Sequence, residues 1–129
     1  MSVGIVILTH GETGSCILAE AEFVLGQKMK NIELVTYNQA EDQTAGIVAI
    51  HSAIEKVDDG DGVLLLSDLF GASPANRAAL LLEHFEAVMV TGINLAMLIC
   101  VWNYRDRPLG MLARKAAECG TRGIRIIQK

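Results

Sequence analysis

The chain has 129 residues, of which 51% are hydrophobic, 20% charged and 5% aromatic, and its formal net charge is −4. The hydrophobic fraction excludes a disordered chain, and the length suits one domain, which we expect to span residues 1–129. The longest apolar stretch, residues 87–102, is interrupted by Thr91, Gly92 and Asn94, so no membrane span is predicted. The sequence is acidic overall, with its basic residues interspersed, so it lacks the basic face that nucleic-acid binding requires. With no secretory signal at the start, we expect a cytoplasmic protein.

The cysteines give a prediction about redox state. Cys16, Cys100 and Cys119 are widely spaced and form no C-x-x-C pair. An odd number of cysteines without a signal sequence argues against a disulfide framework. We therefore expect all of them to be packed thiols in a reducing compartment.

Apolar runs alternate with helical patterns along the chain, as is typical of buried parallel strands covered by helices. In chain order the pattern predicts strand 3–8, helix 15–25, strand 32–37, helix 42–57, strand 63–66, helix 73–82, strand 87–90, helix 94–101, helix 108–119 and a short edge strand 123–127. Gly26 and Gly120 are the predicted stops of their helices. The predicted fold class is α/β, an open and mostly parallel sheet with helices on both faces.

Polar residues directly follow two buried strands of this predicted sheet. The first strand is followed by Thr9 and His10, and the third by Ser67 and Asp68. Ligands of open parallel sheets bind outside the carboxyl ends of the strands. If the first and third strands are neighbours, His10 and Asp68 share that edge. A carboxylate that accepts a hydrogen bond from the N–H of one ring nitrogen fixes the tautomer and leaves the other nitrogen as a nucleophile suited to phosphoryl transfer.

The segment after Asp68 offers a place for anionic oxygens. Gly71 allows a close backbone approach, and a helix that begins at Ser73 presents unpaired N–H groups and the positive end of its dipole. Arg77, in the first turns of that helix, is either solvated or a phosphate contact. Each feature also has a structural explanation, because a histidine after a strand can be a turn residue and an aspartate can cap local N–H groups.

At these residues the sequence resembles the IIA domains of the mannose/sorbose branch of the bacterial phosphoenolpyruvate-dependent sugar phosphotransferase system. The motifs are Thr9-His10-Gly11 and the segment DLFGASPAN at positions 68–76, and the resemblance covers nearly the whole chain. It implies that His10 accepts a phosphoryl group from HPr and that Asp68 orients His10. The implied phosphate-binding residues are Phe70, Gly71, Ala72 and Ser73, and the implied supporting residues are Thr9, Gly11, Asn76 and Arg77. Many relatives have glycine where this chain has Ala72, which leaves the loop geometry there open.

The resemblance also implies the partners. The phosphoryl group would pass from HPr through this protein to a separate IIB protein, with an indirect association with a membrane permease. The family is known as a homodimer that exchanges its last strand, which corresponds to residues 123–127. No metal or other cofactor and no nucleic acid are expected.

Other functions stay open at this point. The phosphodonor subunit of dihydroxyacetone kinase has an N-terminal domain that resembles the same family, and some IIA proteins serve regulation alone. A receiver-like signalling domain phosphorylated on Asp68 is a different class. Receivers need an acidic pair after the first strand to bind magnesium, whereas this chain has Thr9-His10 there. The last alternative is a non-catalytic binding module.

Overall fold

The structure, a computed structural model, describes residues 2–37, 43–69 and 82–129. The strands are β1 Gly4–His10, β2 Ile32–Tyr37, β3 Val63–Ser67 and β4 Ala87–Thr91. The helices are α1 Thr13–Leu25, α2 Gln43–Val57, α3 Leu95–Tyr104 and α4 Leu109–Arg122, with a short 3-10 turn at Leu82–His84. The strands form one parallel sheet in the order β2-β1-β3-β4. The predicted α/β class is confirmed, and the first and third strands are neighbours.

Both faces of the two central strands are apolar because helices cover both sides of the sheet. Alternate side chains of β1 and β3 enter one core cluster together with residues of α1, α3 and α4: Ile5, Ile7, Leu64 and Leu66. The remaining positions enter a second cluster against α2: Val6, Leu8, Val63 and Leu65. All eight side chains are at most 1% exposed. Among the described helices, none is long and apolar enough to cross a membrane.

The helix ends agree with the sequence prediction at one glycine and differ at another. Gly26 ends α1 in the left-handed conformation, with φ of 69°, as predicted. The predicted stop at Gly120 is wrong, because α4 continues to Arg122 and Gly123 follows it. A Cβ on Gly120 would lie 2.7 Å from Cε of Met97, so this glycine allows α3 and α4 to pack closely.

The α3 helix begins where the pattern predicts and extends further. The side chain of Asn94 accepts a hydrogen bond from the Met97 N–H at 2.8 Å and donates one to the Gly120 carbonyl at 3.0 Å. The predicted end at residue 101 is too early, because the helix continues to Tyr104. Trp102, only 8% exposed, adds core packing to this last turn.

The cysteine prediction is wrong. Cys100 and Cys119 are joined in a disulfide that links α3 to α4, with their Cα atoms 6.3 Å apart. The two residues meet because the helices form a hairpin, which the spacing of cysteines in the sequence does not reveal. Cys16 is a free thiol, but it is exposed on α1 rather than packed.

The predicted last strand is not found in the single chain. Residues 124–129 have no helix or strand structure. The side chains of Ile124, Ile126 and Ile127 are 76%, 87% and 87% exposed. A strand exists only when its backbone groups pair with another strand, and this segment has no such pairing within the described residues.

Candidate functional site at the carboxyl edge of the sheet

His10, the last residue of β1, lies against Asp68, which follows β3. The register pairs Leu8 with Ser67, so Asp68 follows β3 at the level of Thr9, one residue before His10. His10 Nδ1 is 3.0 Å from Asp68 Oδ2 and 3.2 Å from Oδ1. The backbone N–H of His10 also donates to Oδ2 at 2.9 Å. One carboxylate therefore holds both the main chain and the ring of His10, and the predicted proximity of the two residues is found.

The charge on Asp68 determines which ring nitrogen is available. Burial alone raises the pKa of this carboxyl, but hydrogen bonds from the His10 backbone and ring, together with the charge of His10, lower the pKa below its ordinary value. An ionised carboxylate only accepts hydrogen bonds, so Nδ1 of His10 carries the proton in the neutral ring. The lone pair is then on Nε2, which receives no hydrogen bond from the described residues.

Thr9 fixes the segment that follows His10 to the start of α1. Its hydroxyl, in a residue only 2% exposed, accepts a hydrogen bond from the Gly14 N–H at 2.7 Å. The N-cap residue Glu12 makes no side-chain capping bond, so Thr9 satisfies this N–H from outside the helix. A Cβ on Gly14 would lie 2.6 Å from Thr9 Oγ1, and glycine is needed for this approach.

Gly11 turns the chain immediately after His10. Its φ is +48°, a conformation that favours glycine, and no heavy atom lies within 4 Å of a Cβ built there. Its N–H donates to the carbonyl of Tyr37 at 3.3 Å. Gly11 is therefore required by the turn, which is tied to the end of β2.

Tyr37 is a residue of the site that the sequence analysis missed. It ends β2 directly opposite His10 in the parallel register. The two rings meet edge to face, with centroids 5.3 Å apart and an angle of 78° between their planes. The signal available in the sequence was an aromatic residue at the end of the second predicted strand, but the pairing of that strand with the first was unknown.

The phosphate-binding part of the prediction lies outside the described residues. This applies to Phe70, Gly71, Ala72, Ser73, Asn76 and Arg77, and to the predicted helix from residue 73 up to the turn at Leu82. Leu69 is described, and its side chain is 61% exposed beside Asp68. Within the described ranges no group of three or more histidine, cysteine, aspartate or glutamate residues could hold a metal ion.

The fold and the site together define a class: a parallel α/β protein that presents an imidazole, oriented by a carboxylate, at the carboxyl edge of its sheet. A family profile described as "EIIA-man: PTS system fructose IIA component" matches residues 4–112. The chain belongs to this family of phosphotransferase-system IIA components.

Relatives agree with this membership. The chain is 31% identical to the mannose-specific EIIAB component of Escherichia coli (strain K12) over 133 aligned positions, which cover 99% of this chain and 40% of that protein. It therefore spans about two fifths of the length of that relative. It is 25% identical to the fructose-specific EIIA component of Bacillus subtilis (strain 168) over 105 positions, 81% of this chain and 71% of that protein.

Solved structures share the fold. The mannose/sorbose specific IIA subunit from Enterococcus faecalis superposes with a TM-score of 0.90 at 19% identity, over 100% of this chain and 97% of that one. The phosphotransferase system component EIIA from Streptococcus agalactiae gives a TM-score of 0.84 at 24% identity, over 96% of both chains.

Proposed function

We propose that this chain is a phosphocarrier of the sugar phosphotransferase system, which accepts a phosphoryl group from phospho-HPr on His10 and passes it to a IIB component. The observation that carries the proposal is the bond between Asp68 and Nδ1 of His10. It leaves Nε2 as the nucleophilic ring nitrogen. The side chain of His10 is 36% exposed, which allows a protein donor to reach it.

The transfer step balances without an added base. The lone pair of Nε2 attacks phosphorus, the phosphorus–nitrogen bond to HPr breaks, and its electron pair returns to the HPr imidazole. The proton on Nδ1 stays between His10 and Asp68, so the ring of phosphohistidine is cationic. The carboxylate of Asp68 compensates that charge at hydrogen-bond distance, 3.0 Å. Transfer to IIB is the same displacement with a IIB nucleophile.

The remaining site roles are part of the same proposal. The backbone of residues 70–73 and the hydroxyl of Ser73 contact the phosphoryl oxygens, with Asn76 and Arg77 in support; their place directly after Asp68 in the sequence is what favours this. Thr9 and Gly11 support His10 through the segment that joins β1 to α1, and their hydrogen bonds to Gly14 and Tyr37 favour that role.

The proposal includes an assembly. The chain forms a cytoplasmic homodimer and associates indirectly with a membrane permease through its IIB partner. The exposed side chains of Ile124, Ile126 and Ile127 support the dimer, because three exposed apolar residues in one short segment gain from burial against another subunit.

Two alternatives are less well supported. The profile match and both relatives are IIA or IIAB components, which favours a IIA protein over a subunit of dihydroxyacetone kinase. In a receiver-like domain Asp68 would be the phosphorylated group. Here its carboxylate accepts hydrogen bonds from the backbone and ring of His10, which favours an orienting role.

Labelling tests the proposal directly. The protein is incubated with labelled phosphoenolpyruvate, the first enzyme of the system and HPr. Wild type should take label as a phosphoramidate, lost in acid and stable in alkali, and His10→Ala should take none. His51→Ala, which removes an exposed histidine of α2, is the matched control and should label like wild type. Label retained by His10→Ala, or an alkali-labile acyl phosphate, would overturn the proposal.

A further inference from the structure

The ring of His10 needs more than one contact to have a fixed orientation. Asp68 restrains the ring at a single vertex, Nδ1. A planar ring held at one atom still tilts about that atom, and the tilt carries Nε2 away from the line of attack. The second contact on the ring is the edge-to-face packing of Tyr37 at 5.3 Å and 78°. This geometry is within the range preferred by aromatic pairs.

The position of Tyr37 is fixed by the sheet. Its backbone is paired with His10 in the β1–β2 register, and its carbonyl accepts a hydrogen bond from Gly11, the residue after His10. Because Tyr37 belongs to a strand, its ring starts from a rigid backbone, which is the condition for precise support of a functional group. Asp68 and Tyr37 thus approach His10 from the two strands that flank β1.

We propose that Tyr37 is a positioning residue, whose ring holds the His10 imidazole at the tilt at which Nε2 faces the incoming phosphoryl group. The inference rests on the proposed phosphoryl transfer at His10. Positioning acts on the transfer step, since a misaligned nucleophile loses rate even when its partner binds normally. Tyr37 therefore affects the maximal rate of phosphorylation and leaves the affinity for phospho-HPr unchanged.

The test compares Tyr37→Leu with Tyr37→Phe in rapid-quench phosphorylation by phospho-HPr. Tyr37→Leu should lower the maximal rate roughly tenfold, with KM for phospho-HPr within about twofold of wild type. Tyr37→Phe keeps the ring and should restore the rate to within about twofold of wild type. Tyr104→Leu is the matched control, because Tyr104 is a half-buried tyrosine of α3 that packs against the core and Lys115.

Proton and nitrogen NMR of the unphosphorylated protein gives a readout that does not depend on transfer. Loss of the aromatic ring in Tyr37→Leu should change the chemical shifts of the carbon-bound protons of the His10 ring, because the ring current of Tyr37 is removed, while the proton stays on Nδ1 because Asp68 is unchanged. If Tyr37→Leu does not fold, Tyr37→Met replaces it with a flexible apolar side chain.

Three results would overturn the inference: an unchanged rate in the folded Leu or Met variant, an equal loss in Tyr37→Phe, or an equal loss in Tyr104→Leu. Failure of the phosphocarrier proposal is a distinct result. It appears as label retained by His10→Ala, or as no label on wild type, before any Tyr37 variant is compared.

Discussion

Replacing Asp68 with asparagine tests the central contact of the site. The substitution keeps the size of the side chain and removes its charge. Asp68 now accepts bonds from His10 Nδ1 at 3.0 Å and from the His10 backbone N–H at 2.9 Å. Both bonds end on Oδ2, so a single asparagine oxygen can still accept them, but it carries no charge, and the amide group, which only donates, would take the place of Oδ1, which lies 3.2 Å from Nδ1. We expect a slower transfer because the ionised acceptor that holds the proton on Nδ1 is lost and the phosphohistidine loses its counter-charge.

The structure sets the size of this effect. A hydrogen bond to a charged group contributes about 1.5–3 kcal/mol. The His10 side chain is 36% exposed and that of Asp68 18%, so solvent screening places the pair at the lower end of this range. A loss of about 1.5–2 kcal/mol corresponds to a rate reduction of roughly 10- to 30-fold.

The assay is single-turnover phosphorylation by phospho-HPr, followed by rapid quench and gel separation. Asp59→Asn is the matched control, since it removes an equal charge from an exposed turn after α2, away from His10. Circular dichroism of both variants verifies that the fold is retained. A folded Asp68→Asn protein that is phosphorylated at the wild-type rate would refute the role of this carboxylate.

Three further predictions concern stability at this edge of the sheet. Burial raises the pKa of Asp68, but the hydrogen bonds from His10 outweigh this effect and lower the pKa in the folded state. The carboxylate therefore stabilises the folded state at pH values above its unfolded pKa of about 3.9. This contribution is lost as the pH falls through the lower pKa of the folded state. In urea titrations between about pH 5 and pH 2, the free energy of unfolding should therefore fall more steeply for wild type than for Asp68→Asn, and equal slopes would contradict this. Thr9→Val should cost about 1–3 kcal/mol because it leaves the N–H of Gly14 without its acceptor. Ser67→Ala should leave the free energy of unfolding unchanged or raise it, since the equally buried Ser67 hydroxyl has no hydrogen-bond partner among the described residues. A larger loss of stability at Ser67 than at Thr9 would contradict both expectations.

The four strands of the sheet and the starts of the described helices could be predicted to within two residues because their signals are local. The run of leucines at positions 64–66 is buried on both faces, and an apolar run with no polar position indicates that environment directly. Gly26 ends its helix through a backbone conformation that few other residues adopt. Gly120 carries the same local signal but serves helix packing, because Met97 from another element lies against it.

The features that sequence reasoning missed depend on tertiary pairing. The contact of Tyr37 with His10 requires that β2 lie beside β1, and nothing within residues 32–37 specifies that neighbour. The disulfide requires the hairpin of α3 and α4. His10 and Asp68 were predictable because both end apolar runs, and the rule that ligands bind at the carboxyl ends of parallel strands brings such residues together without knowledge of the register.

The arrangement around His10 explains how the side chain that we propose as the phosphoryl acceptor can be both partly exposed and well oriented. The backbone N–H and the ring Nδ1 of His10 are both hydrogen-bonded to the carboxylate of Asp68. The ring packs against Tyr37, whose carbonyl accepts a hydrogen bond from the N–H of Gly11. The supporting groups come from the ends of β2 and β3, which flank the buried strand β1. A carrier of the proposed kind meets two protein partners in turn, so its reactive nitrogen must stay open to solvent. The contacts that orient the imidazole must therefore come from the side of the ring that faces the protein. The neighbouring strands provide these contacts, which is why the sheet edge supports His10 better than a free loop would.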